Sequence, residues 1–193
     1  MENIIRHAIA QSARRCAFTG YRPAKMPFGY DELDPRCIDF KKRLSDTISM
    51  LIDQGYSYFL SGGAMATDIF AAEAVLALKK RFPQITLEMV SPFDGQAEKW
   101  SRAYQARHDE LFELADVVTV ISHEYTRSCM FLRNRYLVTN ADILVAAYDG
   151  QDGGTKMTVE LARREGLQVL IVPPVTVKKA FAVVPVSKIS VTA

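Results

Sequence analysis

The sequence predicts an α/β domain built on a doubly wound, Rossmann-like parallel sheet, and three observations carry that expectation. Short apolar runs alternate with helix-length amphipathic segments from Cys16 to Pro173. Residues 117–121 form a nearly continuous apolar run, the pattern of a parallel strand buried on both faces. Glycine-bearing turns stand at the carboxyl ends of several runs, where open α/β sheets bind their ligands. Right-handed crossovers then place helices on both faces of one sheet, with an expected strand order of 3-2-1-4-5-6.

The elements follow in chain order. Residues 1–14 are weakly amphipathic and read as a peripheral helix or a loose arm. The first strand, residues 15–18, ends in Thr19-Gly20-Tyr21-Arg22-Pro23, and a Pro, Gly and Asp-rich surface excursion follows. Asp34-Pro35 supplies an N-cap with proline at the first helical position. The helix it opens carries Ile38, Leu44, Ile48, Leu51 and Ile52 on one face and stops at Gly55. Residues 58–60 form the second strand, Ser61-Gly62-Gly63 turns it, and an Ala-rich helix begins a few residues later. Residues 85–90 read as a third strand and 98–115 as a helix with Trp100, Tyr104, Leu111 and Leu114 on its pattern. After strand four come a helix over 130–140, a fifth strand over 143–148 and a glycine-rich loop over 149–155. A helix closed by Gly166 and a sixth strand over 168–172 complete the core.

With 193 residues, of which 49% are hydrophobic and 24% charged, the composition fits one domain over 1–193, with a core over 16–173 and a Val-rich tail over 174–193. The formal charge of +2 comes from interspersed basic and acidic residues, so nucleic acid is an unlikely partner on this reading. Cys16, Cys37 and Cys129 lie far apart, which suggests neither a disulfide framework nor a zinc site and fits a reducing cytoplasm. No secretory leader or membrane-spanning run is read.

The turns after strands one, two and five converge on one edge of such a sheet, and this favours phosphate binding. Adjacent glycines let backbone N–H groups approach an anion, and a helix N-terminus adds its dipole. GxGxxG and GxxxxGK[ST] are both absent, so neither routine NAD chemistry nor ATP hydrolysis is expected, and no cofactor or metal is assigned. His108 and His123 read as packing or surface residues and Cys129 as an ordinary cysteine. Packing is also the reading for Trp100 and Tyr104.

Thr19-Gly20-Tyr21-Arg22-Pro23, Ser61-Gly62-Gly63-Ala64 with Asp68, Arg133-Asn134-Arg135 before Asn140-Ala141-Asp142, and Tyr148-Asp149-Gly150 with Gly153-Gly154-Thr155 form a spaced set. The set resembles the YpsA-type branch of the SLOG superfamily, which also holds the LOG phosphoribohydrolases and the DprA single-stranded-DNA proteins. The resemblance implies a Rossmann-like fold and a nucleotide or nucleotide-derived ligand. It also implies a homodimer, in which the tail takes part.

By that resemblance, Gly62 and Gly63 bind phosphate through backbone N–H groups, and Gly153, Gly154 and Thr155 form a second phosphate loop. Thr19, Gly20, Arg22, Ser61 and Asp68 complete the expected ligand set. Arg133 keeps the spacing to Ala141-Asp142 of an arginine in the LOG site and, with Glu160, is the catalytic candidate. The LOG glutamate falls three residues after the loop threonine, where this chain has Thr158, and Glu160 stands two residues later. A shift of two turns a helical side chain by roughly 200°. Binding or sensing of a nucleotide-derived ligand is therefore the preferred function. LOG-like hydrolysis of a nucleoside monophosphate is the alternative, and DprA-like single-stranded nucleic-acid binding is a second one.

Overall fold

The computed structural model describes residues 13–176. Six parallel strands form one sheet: β1 (Arg14–Gly20), β2 (Tyr56–Ser61), β3 (Thr86–Ser91), β4 (Val117–Val120), β5 (Ile143–Ala147) and β6 (Gln168–Ile171). Their order is β4-β3-β2-β1-β5-β6. The helices are α1 (Pro35–Asp53), α2 (Thr67–Lys79), α3 (Arg102–Leu114), α4 (Cys129–Thr139) and α5 (Gly154–Arg164). Helices α1, α2 and α3 pack together in one layer, and α4 and α5 pack together in another. The chain winds outward from β1 to β4, returns through α4 and continues outward through β6, so the direction reverses between β1 and β5.

The parallel α/β class is as expected, but the order corrects the place of strand four. It lies at the sheet edge beside β3, not between β1 and β5. The apolar run Val117–Val120 is consequently half-exposed, with Val118 at 48%. Apolar periodicity registers that a strand is hydrophobic, and it does not register whether a second neighbour exists. The pairing is fixed instead by Asp116, whose N–H donates to the Leu87 carbonyl while its carboxylate accepts from Leu87 N–H.

The remaining elements follow local chemistry. Asp34 caps α1 by accepting from Arg36 N–H at 2.7 Å. Gly55 takes φ +90 just beyond the helix end. The buried stripe of α1 is Cys37, Phe40, Leu44, Ile48, Leu51 and Ile52, whereas Ile38, expected on it, is exposed. Trp100 precedes α3 and sets its ring edge against His108, while the Tyr104 hydroxyl donates to Glu32, so both aromatics pack. Along β1, Cys16 and Phe18 face the α1–α3 layer and Ala17 faces the α4–α5 layer, the two-residue period of a strand covered on both sides.

Two polar clusters fix what the apolar core leaves free. On β3, the buried Glu88 carboxylate accepts from the hydroxyls of Tyr58 (2.8 Å), Thr119 (2.7 Å) and Tyr136 (2.8 Å), tying α4 and β4 to the sheet. On the other side, Arg107 bridges Glu32 and Glu73, and Lys41 also reaches Glu32. This second network pins the long excursion after β1 to α1, α2 and α3. Burial alone raises the Glu32 carboxyl, but hydrogen bonds from Arg107 and Lys41 outweigh it and hold the group below its ordinary 4.5.

The β2–α2 turn is close-packed. A Cβ at Gly62 would stand 1.2 Å from Arg133 Nη1, so only glycine fits beneath that guanidinium. Gly63 has φ +64 and sits against the Phe112 ring. Gly154 at the start of α5 has open space around it.

These contacts set two outcomes. A depressed carboxyl stabilises the fold above its unfolded value and loses that contribution as pH falls through its folded value. Glu32→Gln should therefore lower stability by about 1–2 kcal/mol at neutral pH, and the difference from the native chain should vanish in acid; urea titrations at several pH values measure it. Gly62→Ala must expel Arg133 and strand a buried carboxylate, a loss of about 3–5 kcal/mol. Gly154→Ala, by contrast, should change stability by no more than about 1 kcal/mol, and the same titrations compare the two.

Candidate functional site

A cleft of about 320 Å³ opens at the carboxyl end of the sheet, where the winding direction reverses between β1 and β5. Its walls include Thr19, Gly20, Arg22 and Lys25 after β1, Ala64 and Asp68 around the start of α2, Arg133 and Asn134 on α4, and Gly154 and Thr155 opening α5. Each wall is a strand end or a helix start, because the parallel sheet sends all of its carboxyl ends to one edge.

At the floor, Arg133 Nη1 donates to Asp68 Oδ2 at 3.0 Å, and both side chains are more than nine-tenths buried. Arg133 Nε is buried and has no hydrogen-bond partner. A buried guanidinium N–H left unsatisfied is costly, and a bound acceptor would relieve it. Asp68 also accepts from Ala64 N–H at 3.3 Å, and the Ser61 hydroxyl donates to the Asp68 carbonyl. The opposite side of the turn is held by Gln96, whose Nε2 donates to the Gly62 carbonyl at 3.2 Å. Ser61, Gly62 and Gly63 thus form the support of the cleft and not its lining. Arg133 and Asp68 pack directly on the side of Gly62 where a Cβ would stand.

The second expected loop has a different character. Gly153 caps α5 with no side-chain hydrogen bond, and the first turn carries no acidic residue. The start of this 11-residue helix has no capping acceptor from its own N-cap residue, and Gly154 and Thr155 there line the cleft. Tyr21 holds the loop in place: its hydroxyl donates to Asp149 Oδ1 at 2.6 Å and accepts from Gln151 N–H at 3.1 Å. Burial, then the hydrogen bond to Asp149, raises the Tyr21 hydroxyl above its ordinary range. Lys25 Nζ donates to the Asp152 carbonyl and lies 2.7 Å from where a Gly153 Cβ would be. Arg22 is exposed on the rim beside Met130.

Glu160 is exposed and does not line the cleft. Thr158, in the position of the LOG glutamate, is buried, donates to the Gly154 carbonyl at 2.9 Å and accepts from Asn134 Nδ2. Asp68 is the single carboxylate lining the cleft among the described residues. No group of three or more His, Cys, Asp or Glu side chains is placed to hold a metal among those residues, and no helix among them is long and apolar enough to cross a membrane. Sequence reasoning missed Lys25, Asn134 and Met130. Lys25 ends a short 3-10 turn over Pro23–Lys25 and belongs to no motif, whereas Asn134 was legible as the neighbour of Arg133.

The sequence profile of the YspA SLOG family matches residues 16–168. A UPF0398 protein of Bacillus velezensis is 26% identical over 151 residues, covering 77% of this chain and 82% of that protein. A UPF0398 protein of Halalkalibacterium halodurans is 30% identical over 154 residues, covering 78% and 80%. Among solved structures, DNA processing protein A of Helicobacter pylori, described for its single-stranded DNA binding mode, aligns with a TM-score of 0.59 at 16% identity. The match covers 85% of this chain and 67% of that one. DprA of Streptococcus pneumoniae aligns with a TM-score of 0.59 at 18% identity, over 84% of this chain and 51% of its own. At those identities the two structures share the fold alone. With most of its length matched by the family profile and its fold shared with DprA, the chain belongs to the YpsA family of the SLOG superfamily.

Proposed function

We propose that the cleft binds the phosphate of a nucleotide-derived ligand between the N-terminus of α5 and the Arg133 guanidinium, with Lys25 and Arg22 closing over it. The observation that carries this reading is the nine-tenths buried Arg133 guanidinium, which lines an open cleft beside the start of α5 and is paired to one carboxylate, with its Nε unsatisfied. Three cationic side chains meet one carboxylate there, so the site is locally basic although the chain is nearly neutral. Gly153, Gly154 and Thr155 act through their backbone, Arg133 supplies the buried charge, and Asp68 orients Arg133.

The expectation that nucleic acid is an unlikely partner is withdrawn. It rested on overall charge, and the solved structures sharing this fold include a DNA processing protein described binding single-stranded DNA. A single strand laid through the cleft is accordingly the second reading, supported by that shared fold and by the local excess of Arg22, Lys25 and Arg133. Both readings use the same phosphate contacts.

Hydrolysis has less support. A glycosidic bond needs a general acid or base in reach, and Asp68, the one carboxylate lining the cleft among the described residues, is already engaged by Arg133.

Titration calorimetry with adenosine 5′-monophosphate and with a twelve-nucleotide single strand tests the assignment. Lys25→Ala, at an exposed position, should weaken binding by about tenfold to a hundredfold, the worth of one charge-assisted phosphate contact. Unchanged affinity for both ligands would remove the phosphate from this cleft. If the strand is the ligand, its affinity falls with salt at a slope of about 0.7 per phosphate neutralised, while the mononucleotide responds little. Incubation with adenosine 5′-monophosphate should release no adenine; steady release, abolished in Asp68→Asn, would make the protein a hydrolase.

A further inference from the structure

Beyond Gly154 the cleft continues into a second concavity of about 230 Å³ between α4 and α5. Met130, Asn134 and Gly154 line both spaces. The remainder of the second wall has apolar Phe131, Met157 and Leu161 together with Arg127 and Thr158. Phe131 is 49% exposed and Met157 59% exposed. Such flat, uncovered apolar groups are expensive to leave in water and suit a planar ring.

We infer that this groove is the base subsite: an aromatic nucleobase lies between Phe131 and Met157, joined across Gly154 to a phosphate at the N-terminus of α5. The inference rests on the phosphate reading of the adjoining cleft and extends it to the class of ligand, one with a flat ring next to its phosphate. The continuity of the walls carries it. Gly154 has nothing within 4 Å of a would-be Cβ, so no side chain fills the space at this shared residue. The Asn134 amide donates to Thr158 Oγ1, and that hydroxyl is spent on the Gly154 carbonyl. This leaves the groove's floor mainly apolar and favours stacking over edge-specific hydrogen bonding. Bases of either class should therefore be accepted. Arg127 adds a guanidinium able to stack on the exposed ring face.

The test compares inorganic phosphate, adenosine 5′-monophosphate and uridine 5′-monophosphate on the full chain and on Phe131→Ala and Met157→Ala, both at exposed positions where truncation spares the core. Each variant should lose about fivefold to a hundredfold in affinity for both nucleotides, the range of one lost base stack, with affinity for inorganic phosphate unchanged. Equal nucleotide affinity in native and variant proteins, or nucleotides binding no tighter than phosphate, would overturn the base subsite and leave the phosphate reading standing. Absence of binding by all three probes would overturn both. Light scattering on the same samples closes the remaining outcome: if Phe131→Ala turns a dimer into a monomer, the groove is a contact between copies of this chain and not a base subsite.

Discussion

The ion pair between Arg133 and Asp68 is the constraint on which the site depends. Arg133 rises from α4, in one helical layer, and Asp68 from the first turn of α2, in the other. They meet at 3.0 Å across the carboxyl edge of the sheet, directly over Gly62. A charge this deeply buried is tolerable only when paired, and removing either partner leaves the other desolvated and unmatched. The pair therefore fixes the mutual position of two helices that have no covalent reason to meet there. It also explains the glycine: a Cβ at position 62 and the guanidinium cannot occupy the same space.

Support for that pair radiates through the structure. Tyr136, one turn along α4 from Arg133, donates to the buried Glu88 on β3 and so sets the helix against the sheet. Gln96 holds the Gly62 carbonyl from the far side. Ser61 fastens the start of α2 through the Asp68 carbonyl. The β2–α2 turn is thus packed against the protein's own charges, while the neighbouring helix start at Gly154 lines the open cleft. These contacts hold the floor of the cleft in one arrangement before anything enters it.

Much of this was legible in the sequence, and the failures have definite causes. Asp34-Pro35 announced α1, and Gly55 and Gly166 marked helix ends, because capping and positive φ are local demands. Strand four was recognised but misplaced. Its neighbour in the sheet is decided by which crossover the chain takes, and Asp116 at the Leu87 backbone is a contact across 29 residues that no periodicity encodes. Arg133, Asp68 and Gly62 were each singled out, yet their mutual burial was not foreseen: spacing in the chain identifies residue types suited to a site and does not say which of them neutralise one another. Lys25 escaped for a related reason. It reaches the Gly153 loop from a segment held down by the Tyr21–Asp149 hydrogen bond, a tertiary contact with no motif.

Overall charge misled for the same physical reason. A net charge of +2 describes the far field of the molecule, whereas a ligand in a cleft responds to the few groups within a Debye length, about 8 Å at physiological salt. Among the described residues lining the cleft, Arg22, Lys25 and Arg133 stand with Asp68 as the one carboxylate, while many other ions are consumed in pairs elsewhere, such as Arg107 with Glu32 and Glu73. Neutrality of the whole chain and basicity of one edge are compatible because charge is apportioned by the fold. In this chain the same fold that gives Arg107 two carboxylate partners leaves Arg133 paired at Nη1 and unsatisfied at Nε. The first arginine meets two carboxylates and ties helices together, whereas the second meets one and lines an open cleft.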